Sequence, residues 1–281
     1  MERRDFLQTA GFLSLASAGA LGRAPGAAEA GQAQVPAAAQ ARPATPPTKN
    51  RVLITSAHSR LAQAIAAALA GRYPIRLTAP VQVRSHYEFT QSALDHDGAT
   101  RPLVRGVEMI VHAADPPPGA DGERMLDWRT RSTYNLFLAA AQEGVRRVIH
   151  LSSLALMTAY EEDFEVAEGW RPRPGPQPEG LSHYLGECIA REFAHQKKLR
   201  ITVLRLGKVV RPEEVAGKPS DPLWVAEDDV VQAVSLALER PGASDGEGWW
   251  SVYHIASASP RARFSIAAAQ RGLGYRPKFH W

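Results

Sequence analysis

The sequence predicts an α/β fold, a doubly wound parallel sheet in one domain. Three observations carry this. After Arg51, short apolar runs alternate with helical stretches all the way to the C-terminus. The first pair, Val52-Leu53-Ile54 and the alanine-rich Leu61 to Leu69, is joined by a tight polar turn, the strand–turn–helix start of a nucleotide-binding sheet. The span from Arg51 to Trp281 also fits one domain of this class.

Each element has its own signal. Val52–Thr55 reads as a strand and Leu61–Leu69 as a helix closed by Gly71. Ile75–Thr78 is a second strand, and Met109–Ala113, introduced by Gly106-Val107-Glu108, is another. From Glu123 to Gln142, Met125, Leu126, Tyr134, Phe137, Leu138 and Ala141 form a helical apolar face stopped by Gly144. Val145–Leu151 is a strand ending in Ser152-Ser153, and a proline-rich connector, Trp170 to Pro178, leads to a helix over Leu181–Ala194. Ile201–Leu206 is a strand, Glu227–Leu238 a helix, Val252–Ala256 the last strand and Ser265–Arg271 the last helix. Strands alternating with helices place a parallel sheet between two helical layers. Trp249-Trp250 reads as packing at a sheet end.

Residues 1–30 are set apart from the fold. Arg3-Arg4, a short apolar run from Phe12 to Leu21 and Ala28-Glu29-Ala30 as a cleavage site read as a twin-arginine export signal. The run is shorter than the roughly 20 apolar residues of a membrane span, so no stable membrane span is expected after cleavage. Residues 31–50, rich in Ala, Pro, Gln and Thr, read as a disordered linker. The domain is then 51–281, and the expected location is the periplasm. A lone Cys188 forms no internal disulfide.

The formal charge of +4 and the pI near 9.3 are spread along the chain without basic clusters interleaved with aromatics, which excludes nucleic acid as an expected partner. The nine histidines are scattered, and none has zinc spacing, so no metal site is expected. A small-molecule substrate and a homodimer are the partners compatible with the sequence.

The order of further motifs resembles the extended short-chain dehydrogenase/reductase family of the NAD-dependent epimerase/dehydratase type, over most of residues 51–281. Gly106 to Ala114 resembles that family's fourth-strand segment, and Thr133-Tyr134-Asn135-Leu136 with Ala139 to Ala141 its next helix. Gly144 to Val148 running into Ser152-Ser153 is similar to the fifth strand. Tyr184 with Glu192 matches the active-site helix, Arg205, Val209 and Pro212 the sixth-strand segment, and Asp229-Val230 a late motif. The resemblance implies a Rossmann-type fold that binds NAD or NADP, with a very small C-terminal substrate region, because only Arg211 to Pro222 stands where larger relatives carry a long segment.

It also implies roles. In the family a Ser or Thr ending the fifth strand bonds the substrate oxygen and a Tyr transfers a proton. A Lys four residues on holds the nicotinamide ribose and lowers the Tyr pKa from about 10. The matching residues are Ser153, Tyr184 and, at the lysine position, Cys188. A thiol carries no positive charge and is a weak donor. His183 lies on a different helix face from Tyr184, and Arg129 occupies the family's usual Asn. The cofactor candidates are Thr55, Ser56, Ser59, Arg60 and Leu61 in the turn, with Ala113 and Ala114 at the fourth strand. Ser56, Ser59 and Ala62 replace three glycines. No acidic residue follows the second strand to hold an adenosine ribose, and Arg76 and Arg84 are the candidates for a 2′-phosphate. Two readings stay open: an exported NAD(P)-binding enzyme of oxidoreductase or epimerase type, and a non-catalytic relative, a pseudoenzyme, that keeps the architecture.

Overall fold

The computed structural model describes residues 50–96, 98–240, 248–259 and 262–280. The expected export signal and linker lie outside the described residues, apart from Asn50.

In chain order the elements are β1 (Val52–Ile54), α1 (Arg60–Leu69), β2 (Ile75–Ala79), β3 (Glu88–Gln91), α2 (Thr100–Val104), β4 (Met109–His112) and α3 (Gly122–Asp127). A π-turn over Trp128–Ser132 continues into α4 (Thr133–Gln142), followed by β5 (Arg147–Ser153) and a 3₁₀ turn, Leu154–Met157. Then come α5 (Pro178–His195), β6 (Arg200–Leu206), β7 (Lys208–Val210), α6 (Pro212–Val215), β8 (Trp224–Ala226), α7 (Glu227–Glu239), β9 (Trp250–Ile255) and α8 (Ala267–Leu273). No helix among the described residues is long and apolar enough to cross a membrane.

The main sheet is parallel throughout, in the order β3-β2-β1-β4-β5-β6-β9. The chain winds outward from β1 to β3 on one side and from β4 to β9 on the other, leaving a crevice at the β1/β4 switch point. Side chains alternate strictly along the strands. Val52, Ile54, Met109, Val111, Ile149, Leu151, Leu204 and Leu206 face α1 and α7. Leu53, Ile110, Val148, Ile201 and Val203 face α4 and α5. Burial on both faces explains why these strands read as continuous apolar runs.

The structure adds β3, a short edge strand with the polar sequence Glu-Phe-Thr-Gln, which gives no apolar run to read. The helix expected over Glu123 to Gln142 is interrupted by the π-turn, which places Arg129 among buried residues. The late Asp229 motif serves the fold: its carboxylate accepts the backbone N–H groups of Lys278 (2.7 Å) and Phe279 (3.3 Å), pinning the C-terminal segment. Trp249 and Trp250 pack at the sheet end, with the Arg200 guanidinium 4.4 Å above the Trp249 ring.

Candidate active site at the sheet's switch point

The β1–α1 turn keeps the path a glycine would take although no glycine is present. Ser56 sits at φ 55°, in the left-handed region that disfavours side chains. Its hydroxyl offsets that cost by donating to the Asp115 carbonyl at 3.1 Å. Thr55 is fully buried, accepts the Ala113 N–H at 3.1 Å and donates to His112 Nδ1 at 3.0 Å. His112 Nε2 therefore carries the ring proton and donates to Thr133 Oγ1 at 2.9 Å, since that hydroxyl gives its own proton to the Arg129 carbonyl. Ser59 caps α1 by accepting the Ala62 N–H at 3.2 Å, and Ala62, fully buried, lets α1 lie against the sheet.

Ser56 and Arg60, two of the expected phosphate contacts, are committed elsewhere. The Ser56 hydroxyl is spent on Asp115, and His58 reaches the Pro116 carbonyl at 3.0 Å, so the turn is joined to the β4–α3 loop. Arg60 does not point free into the crevice: it pairs with Glu214 and, through Nε at 2.6 Å, with Glu227, tying α1 to α6 and α7. Arg76, expected as a 2′-phosphate ligand, is buried and bonds Glu88 (2.8 Å) and the carbonyls of Leu103 and Arg105. Arg84 is exposed.

A cavity of about 450 Å³ opens at the C-terminal ends of β4, β5 and β6. Of the expected cofactor residues it is lined by Leu61 and Ala113, and of the expected catalytic residues by Ser153. Ser153 Oγ accepts the Ala155 N–H at 3.0 Å, capping the 3₁₀ turn, and its own proton stays available to an incoming oxygen. Ser152, Thr158, Asp115, Arg129, Glu179, His183 and the exposed Lys208 complete the polar part of the wall.

Tyr184 and Cys188, expected to act with Ser153, do not line this cavity. They line a second hollow of about 510 Å³ with Trp170, Arg171, Arg191 and Trp250. The reason is angular: residues 184, 188 and 191 form one stripe of α5, while 179 and 183 form another. The pair spaced four apart that faces Ser153 is thus Glu179 and His183. Cys188 is exposed, and its proximity together with its hydrogen bond raises the Tyr184 pKa, the opposite of what a lysine would do. Sequence reasoning placed His183 on a different face without recognising that face as the one toward Ser153. The signal was the i, i+4 spacing itself.

Beneath α5 lies a row of polar side chains from adjacent strands. His112 on β4 is paired in register with His150 on β5, and Arg205 on β6 with His254 on β9. Gly186 lets the helix cross this row: a Cβ there would stand 3.2 Å from the Arg129 carbonyl and 3.5 Å from His150 Nε2. Glu187 meets Arg205 with two hydrogen bonds of 2.9 and 2.8 Å, both side chains buried. Burial, reinforced by Arg129 and His150, holds the His183 pKa well below that of a free histidine, so its ring is neutral near pH 7. Burial pushes the Asp115 carboxyl up, against a hydrogen bond from Ser59 and the charges of Arg129 and His58.

For a nicotinamide dinucleotide the fit is good in shape. The left-handed turn, the amide-bearing start of α1 and a cavity at the switch point are all present. The first turn of α1, Ala113, Asp115 and Ser153 are the groups that would hold it.

Comparison with known proteins agrees with this geometry. Residues 52–223 match the model of the NAD dependent epimerase/dehydratase family. The chain is 24% identical to an L-arabinose 1-dehydrogenase (NAD(P)(+)) of Haloferax volcanii over 255 residues, covering 81% of this chain and 96% of that protein. It is 26% identical to a uronate dehydrogenase of Pseudomonas putida, covering 74% of this chain and 81% of that one. The structure of a mutated uronate dehydrogenase superposes with a TM-score of 0.70 at 25% identity, covering 82% of each chain. A uronate dehydrogenase mutant from Agrobacterium tumefaciens, complexed with NAD, shares the fold with a TM-score of 0.69 at 23% identity, covering 82% of this chain and 85% of that one. By the family match and the Rossmann-type sheet together, this chain belongs to the NAD dependent epimerase/dehydratase family.

Proposed function

We propose that this protein is an exported, NAD(P)-binding oxidoreductase of its family acting on a small hydroxylated substrate, with the proton handled by His183 rather than by a tyrosine. The observation that carries the reading is the convergence of Ser153, Glu179 and His183 on one cavity beside the switch point. A bound dinucleotide supplies the hydride acceptor or donor. Ser153 donates a hydrogen bond to the substrate oxygen, and His183, neutral through burial, takes the hydroxyl proton. Glu179, one turn before His183 on the same face and lining the same cavity, orients the ring or passes its proton to solvent in this reading.

The relatives support the substrate class, since an arabinose dehydrogenase and uronate dehydrogenases act on sugars and sugar acids by their names. The short segment between β7 and β8 leaves little chain to cover a larger nucleotide-sugar. The Arg3-Arg4 signal supports folding before export and a periplasmic location. NADH and NADPH titrations, followed by quenching of tryptophan fluorescence, test the reading. Saturable binding of either is expected, and absence of binding at millimolar concentration overturns it. A non-catalytic relative is the second reading, favoured by the joining of the turn to Asp115 and Pro116; it predicts binding without turnover on sugars and sugar acids.

A further inference from the structure

Three arginines are buried among the described residues, and they are not alike. Arg205 is held by both oxygens of Glu187. Arg76 has Glu88 and two backbone carbonyls. Arg129, only 6% exposed, has one neutral partner, the Ser182 hydroxyl at 3.0 Å. Its Nε is buried without a hydrogen-bond partner among the described residues. Asp115 and Glu179 act on it through space, yet neither forms an ion pair with it. A buried cation left in this state is costly unless an anion completes it.

Position makes the deficit informative. Arg129 lines the same cavity as Ser153 and His183, and the π-turn that replaces a regular helix there carries it. Guanidinium groups match carboxylates in a planar, two-point geometry that an ammonium does not offer. We infer that Arg129 is the anion-binding residue of the cavity, and that the substrate is a small hydroxy compound bearing a carboxylate. The carboxylate is held by Arg129 while the hydroxyl meets Ser153 and His183. The second clause rests on the proposed function; the anion site stands on Arg129 alone.

The test uses D-galacturonate and D-galactose, which differ in the carboxylate, in calorimetric titrations of the full protein without dinucleotide. The acid is expected to bind at least about tenfold more tightly than the neutral sugar. Arg129→Gln is expected to abolish that preference, and Arg129→Lys to keep part of it. Arg129→Met gives the readout that a purely structural arginine would not: the free protein should melt no lower than the parent, because an incompletely paired buried charge is removed. Equal binding of the two sugars, no binding of galacturonate, retention of the preference in Arg129→Gln, or a clear fall in melting temperature in Arg129→Met would each overturn the inference. Acid-selective binding in a protein that fails to bind NADH would retire the proposed function and leave the anion site standing.

Discussion

Mild acid should destabilise this protein through its buried histidines. His112, His150, His183 and His254 are buried, and burial is the main cause lowering each of them. His150 falls to about 4 and His254 to about 3. In the unfolded chain a histidine titrates near 6.5, so below that pH the unfolded state binds more protons than the folded one. The contribution of the neutral rings is therefore complete above about pH 6.5 and declines as pH falls toward the folded values. At about pH 5 each of His150 and His254 has lost about 2 kcal/mol, or about 4 kcal/mol together. His112 and His183 act in the same direction. Asp115 and Asp229, whose carboxyls burial pushes up, act in the opposite one. A domain is typically stable by about 5–15 kcal/mol, so this loss is a large share. Guanidinium denaturation followed by tryptophan fluorescence, near neutrality and at about pH 5, should show the midpoint falling accordingly. In His150→Leu the difference between the two conditions should shrink by about 2 kcal/mol. A midpoint that does not move with pH, or a His150→Leu protein with an unchanged pH dependence, would refute the reasoning.

Other outcomes follow from single contacts. Glu187→Ala strands the buried Arg205 and should cost about 3–5 kcal/mol in the same denaturation assay. Gly207→Ala would drive a Cβ into the Leu223 carbonyl oxygen, against backbone that cannot swing aside, and should cost about 3 kcal/mol. For a sugar or sugar acid that is turned over, His183→Gln should lower kcat by about a hundredfold or more, with Tyr184→Phe close to the parent.

The fold was legible because its central strands are buried on both faces and several helices, α1, α4, α7 and α8 among them, stop within two residues of a glycine or proline. Met109 to His112 and Ile201 to Leu206 could hardly be read otherwise. What stayed hidden was short or without an apolar pattern: β7 and β8 of three residues each, β3 at the sheet edge, and the π-turn that carries Arg129. The site was legible in part. Ser153 was placed by its position at the end of β5, whereas Tyr184 was chosen by its spacing from Glu192 on the helix. One residue along a helix is a rotation of about 100°, enough to carry Tyr184 from the wall shared with Ser153 into another hollow. Arg60 shows a second limit: its charge suggested phosphate, and only the packing of α1 on α6 and α7 reveals Glu214 and Glu227. Charge in a sequence does not say which partner claims it.

The claim that the working face of α5 is the one bearing Glu179 and His183 meets its most direct test in NADH binding before and after alkylation of the exposed Cys188. The account predicts saturable binding with the same affinity in both preparations, because Cys188 faces another hollow. Loss of binding on alkylation, or no binding in either preparation, would contradict it.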